Sequence, residues 1–297
     1  MLVTRLALSL AVIVPLLAGC PPTQEVPTDD DDTGEDEHEH EHGTGELDGH
    51  VHALLQWGDT DEIVLGTHTG MFRTEEGADE LVPVFEGPDF MGLVQDPFDG
   101  DRYWGSGHWS ANGMGNWGLA ESTDRGASWT EISLTGQADF HQMTAATDQE
   151  DVVVGRWSGR FHFSDDAGRT WTEYASPADV ADIEVASSGI PELFWCGAGG
   201  VHRLDLQTGD EESVVGGNVT AFDRAGSGWG YGTAGGGVFL CDADVSGCEE
   251  WDGPGSSAIL HLLPGAGDDR LYVLTSDSEV HHTDDRGESW ELIASVE

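Results

Sequence analysis

The octapeptide STDRGASW, Ser122 to Trp129, returns as SDDAGRTW from Ser164 and as TDDRGESW from Thr283. Each copy holds a hydroxyl residue, Asp, Gly and Trp at the same offsets. A fixed period in a chain means one supersecondary unit stacked on copies of itself, because a single unit cannot bury its own apolar face. The three Asp residues are Asp124, Asp166 and Asp285, so the steps are 42 and 119, and the second is close to three shorter steps. Two degenerate units are therefore expected between them, and GGVHRLDLQTGD and GGGVFLCDADVSG place Asp205 and Asp244 on that grid. Upstream, GMFRTEEGAD places Glu75 one step before Asp124, and the steps become 49, 42, 39, 39 and 41.

Within the third unit, FHQMTAA, EDVVVGRW, GRFHFSD and TWTEYA read as four short strands separated by acidic and Gly-rich turns. A repeat of about 40 residues made of four strands is the pattern of a propeller blade. The expected fold is all-β, a six-bladed propeller of four-stranded antiparallel blades over residues 49–297.

In the octapeptide a short carboxylate can accept backbone N–H bonds inside its own turn, Gly supplies a positive φ, and Trp closes over the hairpin. Asp124, Gly126 and Trp129, then Asp166, Gly168 and Trp171, then Asp285, Gly287 and Trp290 are thus read as structural fasteners. A repeated element cannot converge on one catalytic centre from the outer ends of separate blades. In the fifth unit, Cys241 and Cys248 flank the degenerate turn, and in an exported chain they are expected to pair. Cys196 is left over, at the end of an apolar strand, and reads as a buried thiol.

The N-terminal residues 1–20 carry one basic residue, Arg5, an apolar run from Leu6 to Leu17, and then Ala18-Gly19-Cys20. The run is too short for a membrane span, which takes roughly 20 apolar residues, and reads as a signal peptide. LAGC resembles a lipobox, which implies lipid on Cys20 and a membrane anchor; an ordinary secretory cleavage site is the alternative. Pro21 after the Cys implies outer-membrane sorting in a Gram-negative envelope. Residues 21–48 hold twelve acidic residues and no basic one, which predicts a disordered, self-repelling tether. Its EHEHEH tract, residues 37–42, either collects Zn, Cu or Ni loosely or is a solvated spacer. With 57 acidic against 11 basic residues and a formal charge of −46, nucleic acid is excluded as a partner.

The three octapeptides are similar to the Asp-box (BNR) repeats of sialidases, sortilin-type receptors, plant-polysaccharide hydrolases and photosystem assembly factors. DFMGL, GSGHW and ADFHQM resemble a group of bacterial lipoproteins classed as glycosyl hydrolase-like. The resemblance implies that the box occupies the hairpin between the third and fourth strands, opposite the ligand face, and it leaves function open.

If those hairpins point down, the starts of first strands and the second-to-third turns point up. These upward positions hold His50, His52 and His68 in blade 1, Asp89, Met91 and His108 in blade 2, and Asp139, His141 and Trp157 in blade 3. His and Met together suit Cu, and His with Asp suits Zn. These positions read first as a hydrogen-bonded polar rim; the sharper hypothesis is a Cu or Zn site at the upper channel mouth, built from His50, His52, His68, Met91, His108 and His141.

A sialidase needs three upward arginines, whereas Arg102, Arg224 and Arg270 fall in lower turns and Arg125, Arg169 and Arg286 inside the boxes. Another glycosidase needs two carboxylates roughly 5 to 9.5 Å apart, for which Asp89, Asp139 and Asp182 are the candidates, with Trp109, Trp117 and Trp157 as sugar platforms. The sequence therefore supports a binding or assembly module with a protein or glycan partner, with a carbohydrate-active enzyme as the alternative.

Overall fold

A computed structural model of the protein describes residues 50–58, 60–75, 81–109, 115–186, 192–225, 227–265 and 269–296. Residues 1–49, with the expected signal peptide, Cys20 and the expected acidic tether, lie outside the described residues.

Twenty-four strands form six antiparallel sheets, each of four strands consecutive in sequence. Blade 1 is β1 (Val51–Gln56), β2 (Ile63–Thr67), β3 (Gly70–Arg73) and β4 (Val82–Glu86). Blade 2 is β5 (Pro88–Asp96), β6 (Asp99–Trp109), β7 (Leu119–Ser122) and β8 (Thr130–Ser133). Blade 3 is β9 (Gln142–Ala145), β10 (Val153–Trp157), β11 (Arg160–Ser164) and β12 (Thr172–Ala175). Blade 4 is β13 (Asp182–Ala186), β14 (Glu192–Gly197), β15 (Gly200–Asp205) and β16 (Glu211–Gly216). Blade 5 is β17 (Val219–Ala225), β18 (Gly228–Thr233), β19 (Val238–Cys241) and β20 (Glu249–Trp251). Blade 6 is β21 (Ile259–Pro264), β22 (Leu271–Thr275), β23 (Glu279–Thr283) and β24 (Glu291–Ser295). The chain is a six-bladed β-propeller.

The ring closes through side chains. First strands touch first strands in a complete circle, β1 to β5, β9, β13, β17, β21 and back to β1. Among the described residues, six clusters of buried apolar side chains lie each between two neighbouring blades. The closing cluster packs Val51, Leu54, Ile63 and Leu65 of blade 1 against Tyr272, Leu274 and Val280 of blade 6 and Val296 just beyond β24. Each such aliphatic side chain contributes about 1.5–3 kcal/mol on burial, so no strand exchange between the two ends is needed to hold the circle.

The octapeptide does the same thing three times. In the first copy the buried Ser122 hydroxyl donates to Asp124 Oδ1 at 2.9 Å and accepts from Gly126 N at 2.8 Å. Asp124 then accepts from Ser128 N at 2.8 Å and from the Ser128 hydroxyl at 2.6 Å. The second copy repeats this with Ser164, Asp166, Gly168 and Thr170, and the third with Thr283, Asp285, Gly287 and Ser289.

Gly126, Gly168 and Gly287 stand at φ 82°, 77° and 83°, in the left-handed region. Space demands glycine there as well: a Cβ on Gly126 would lie 2.3 Å from Met71 Sδ of the preceding blade. Trp129, Trp171 and Trp290 pack against the clusters shared with that preceding blade. Trp171 Nε1 donates to Ser133 Oγ at 2.9 Å and Trp290 Nε1 to Asp252 O at 2.7 Å, so the box ties each blade to its predecessor. In the fifth blade Cys241 and Cys248 form a disulfide across the corresponding turn, and Cys196 is buried and unpaired with another cysteine.

Candidate metal centre

All three boxes lie between the third and fourth strands of a blade. His68 occupies the β2–β3 turn, at the opposite end of the strands, and that end is called upper here. Three blades bring imidazoles and carboxylates together on it.

His68 is the pivot. Its turn is held by Thr67, whose hydroxyl donates to Gly70 O at 3.0 Å and accepts from Thr69 N at 3.2 Å. His68 Nδ1 lies 2.9 Å from Asp89 Oδ2. Its Nε2 lies 3.3 Å from His52 Nε2 and 3.1 Å from His50 Nδ1. Asp89 starts β5 in register with His108 of β6, and His108 Nε2 lies 3.0 Å from the same Asp89 Oδ2. The network continues from His108 Nδ1 to Asp139 Oδ2 at 3.8 Å, an ion-pair distance, and from Asp139 Oδ2 to His141 Nε2 at 3.2 Å.

The close approach of Asp89 and His108 needs Gly107 between them. Gly107 has φ 149°, and a Cβ there would stand 1.9 Å from the Asp89 carbonyl oxygen. Any side chain at residue 107 would push β6 away from the start of β5.

Burial gives the centre its electrostatics. The Asp89 side chain is only 7% exposed, and its Oδ1 has no hydrogen-bond partner among the described residues. Burial, reinforced by the neighbouring His68, lowers the His52 pKa to about 4, so its imidazole is neutral at pH 7. The hydrogen bond to Asp139 raises the pKa of His141. His52 Nε2 and His68 Nε2, 3.3 Å apart, match the donor separation of about 3.3 Å that tetrahedral coordination at 2.0–2.1 Å requires. His52, His68 and Asp89 form a group that can hold a metal ion.

The other candidates are distributed differently. Met91 is buried at a β-bulge of β5, the counterpart of the bulge that carries His52 in β1. Bulges recur there at Thr220 and Leu260, so they belong to the propeller and not to the site alone. Asp182 is separate from the histidine network and accepts from Phe222 N at 3.1 Å and Ile183 N at 2.9 Å. Trp117 is buried in the core between blades 1 and 2, and Trp157 is half-buried against His162. Neither presents an open face to a sugar ring. Arg156 is committed to Ser176 Oγ at 2.8 Å and to the carbonyls of Pro177 and Ala178 at 3.1 and 3.0 Å.

A second polar group, unread in the sequence, sits on the innermost strands of blades 3 to 5. Glu184 accepts from the Thr144 hydroxyl at 2.9 Å and hydrogen-bonds the Asp223 carboxyl, with Asp182 beside them. Burial pushes Asp182 up to about 7 and Asp223 up to about 6, and it raises Glu184, which the Asp223 charge raises further. The available signal was Glu184 at two residues from Asp182, which puts both on one face of a strand. His261 of β21 is partly buried; desolvation and the charge of nearby His52 lower its pKa to about 4.

No protein family and no curated protein matches the sequence. Solved structures match its fold. A GH74 enzyme of Niastella koreensis aligns with TM-score 0.62 at 14% identity over 84% of this chain and 46% of its own. A GH74 xyloglucanase of Xanthomonas campestris aligns with TM-score 0.55 at 14% identity over 82% and 45%. YCF48 bound to D1 peptide aligns with TM-score 0.51 at 16% identity over 84% of each chain. The chain is thus a β-propeller similar in fold to these GH74 and YCF48 structures, and it spans less than half the length of the GH74 enzymes it matches.

Proposed function

We propose that the protein is an exported binding or assembly module, anchored to the outer membrane through lipid on Cys20, that holds Cu or Zn at its upper mouth and engages a protein or glycan partner there. The observation that carries this reading is the side-chain network from His50 and His52 through His68, Asp89, His108 and Asp139 to His141. Imidazoles in such number suit borderline ions and not Mg or Ca. YCF48, a propeller of similar extent seen with a bound peptide, is consistent with a module that binds and does not turn over its ligand. Metal analysis of the full chain carrying His38→Ala, His40→Ala and His42→Ala tests the reading free of the tether. It predicts one equivalent of Cu or Zn that is lost in His68→Ala; a metal-free protein contradicts it.

The alternative is a carbohydrate-active enzyme that is not a sialidase. The GH74 likeness favours it, as does Asp182, which is held protonated near neutral pH as a general acid would be. Turnover in a polysaccharide hydrolase panel, abolished by Asp139→Ala or Asp182→Asn, would reverse the order of the two.

A further inference from the structure

Resting on the metal reading above, we infer that Asp89 is not a ligand of the ion but the outer carboxylate of an Asp89–His68–metal triad. His52 Nε2 and His50 Nδ1 complete an all-imidazole ligand set with one coordination position left open to solvent.

The geometry separates the two nitrogens of His68. Nδ1 faces Asp89 Oδ2 at 2.9 Å, so a ring that gives its other nitrogen to an ion keeps its proton on Nδ1. Nε2 then carries the lone pair, and it is Nε2 that lies 3.3 Å from His52 Nε2 and 3.1 Å from His50 Nδ1. A carboxylate that receives the far N–H of a metal-bound imidazole fixes the tautomer, aims the ring and raises its basicity. Asp89 is built for that work. Its strand is clamped by the close approach at Gly107, its side chain is 7% exposed, and Oδ2 is shared with His108 Nε2 at 3.0 Å. As a direct ligand through that oxygen it would have to release both rings.

His50 and His52 meet His68 from different directions, with ring centroids 5.2 and 4.5 Å from His68 but 6.5 Å from each other. His50 is exposed at the start of β1 and His68 is 29% exposed, so a bound ion is reachable from solvent. Three protein ligands with an open fourth position mark exchanging sites, whereas closed four-ligand sets mark structural ones. The centre would therefore take a small anionic donor from solution.

The test is a Co(II) titration of the full chain bearing His38→Ala, His40→Ala and His42→Ala, read by d–d absorption and by chelator competition. The wild-type mouth should bind one Co(II) with a four-coordinate spectrum that shifts on adding azide. Asp89→Asn should weaken Co(II) 10- to 100-fold and keep a four-coordinate spectrum, while His68→Ala abolishes binding. Unchanged affinity in Asp89→Asn overturns the triad, and so does a changed coordination geometry, which makes Asp89 a direct ligand. If the wild-type mouth binds no Co(II), Zn or Cu, the metal reading itself fails. Nitrogen-15 shifts of His68 give a check that needs no variant: the Nδ1–H tautomer supports the triad, and the Nε2–H tautomer contradicts it.

Discussion

One oxygen of Asp89, Oδ2, stands 2.9 Å from His68 Nδ1 in blade 1 and 3.0 Å from His108 Nε2 in its own blade. A single carboxylate thus couples the upper ends of two blades. The coupling depends on β5 and β6 running so close that residue 107 has no room for a side chain.

Gly107→Ala is accordingly a test of the scaffold beneath the site. The Cβ would meet the Asp89 carbonyl at 1.9 Å, and φ 149° is a conformation that alanine avoids. A loss of about 2 kcal/mol or more is expected, together with loss of metal binding. Thermal unfolding and metal content of the variant measure both; wild-type values for both would show that the approach is not needed.

The hydroxyl that opens each box should matter as much as its Asp. Ser164 is buried, donates to Asp166 and accepts from Gly168 N at 2.8 Å, so Ser164→Ala strands an amide in the core. The expected cost is about 1–3 kcal/mol, measured by denaturant unfolding. Ser164→Thr, the residue type of the third box, should restore most of it.

Two groups of acids pull the pH dependence in opposite senses. Asp166 is lowered to about 2 by the Thr170 backbone N–H and hydroxyl, and Asp124 and Asp285 are lowered by Ser128 and Ser289. A depressed carboxylate stabilises above its unfolded pKa, and that contribution is lost as pH falls from about 4 toward 2. Asp166→Asn should flatten the loss of stability in that window, read as thermal midpoints between pH 5 and 2.

Asp182 acts the other way. Its folded pKa of about 7 lies above the unfolded value, so the folded state keeps a proton that the unfolded state releases. Its favourable contribution is full below about pH 4 and falls away as pH rises to about 7. Asp182→Asn, which keeps an acceptor for Phe222 N, should melt higher than wild type at pH 8 and equally at pH 4. Equal midpoints at both would show that Asp182 is ionised without penalty.

In blade 5 the disulfide stands where blades 2, 3 and 6 have hydroxyl, Asp and Trp. Closing a loop of seven residues, Cys241 to Cys248, contributes about 2–3 kcal/mol on chain-entropy grounds. Reduction should lower the melting temperature by several degrees, with blade 5 the first to exchange amide hydrogens. An unshifted melting curve in reductant would show that the turn holds without it.

The propeller was legible because Asp124, Asp166 and Asp285 sit at one place in each blade, so their spacing counts blades directly. The same count set which turns point up, and that located His50, His52, His68, His108 and His141 on one face before any contact was known. The pairing was not legible. That Asp89 would meet His108 depends on β5 and β6 running so close that a Cβ on Gly107 would stand 1.9 Å from the Asp89 carbonyl oxygen, which no spacing encodes. Glu184 and Asp223 escaped notice because they read as ordinary surface acids. Only the ring of first strands turns them inward together, next to Thr144.

The central claim is the ion at the upper mouth, and anomalous diffraction from crystals of the full chain grown with Zn tests it most directly. The account predicts an anomalous peak at the zinc edge within about 2.0–2.1 Å of His52 Nε2 and His68 Nε2, with Asp89 Oδ2 still on His68 Nδ1. Well-ordered rings at that mouth with no anomalous peak between them would contradict it.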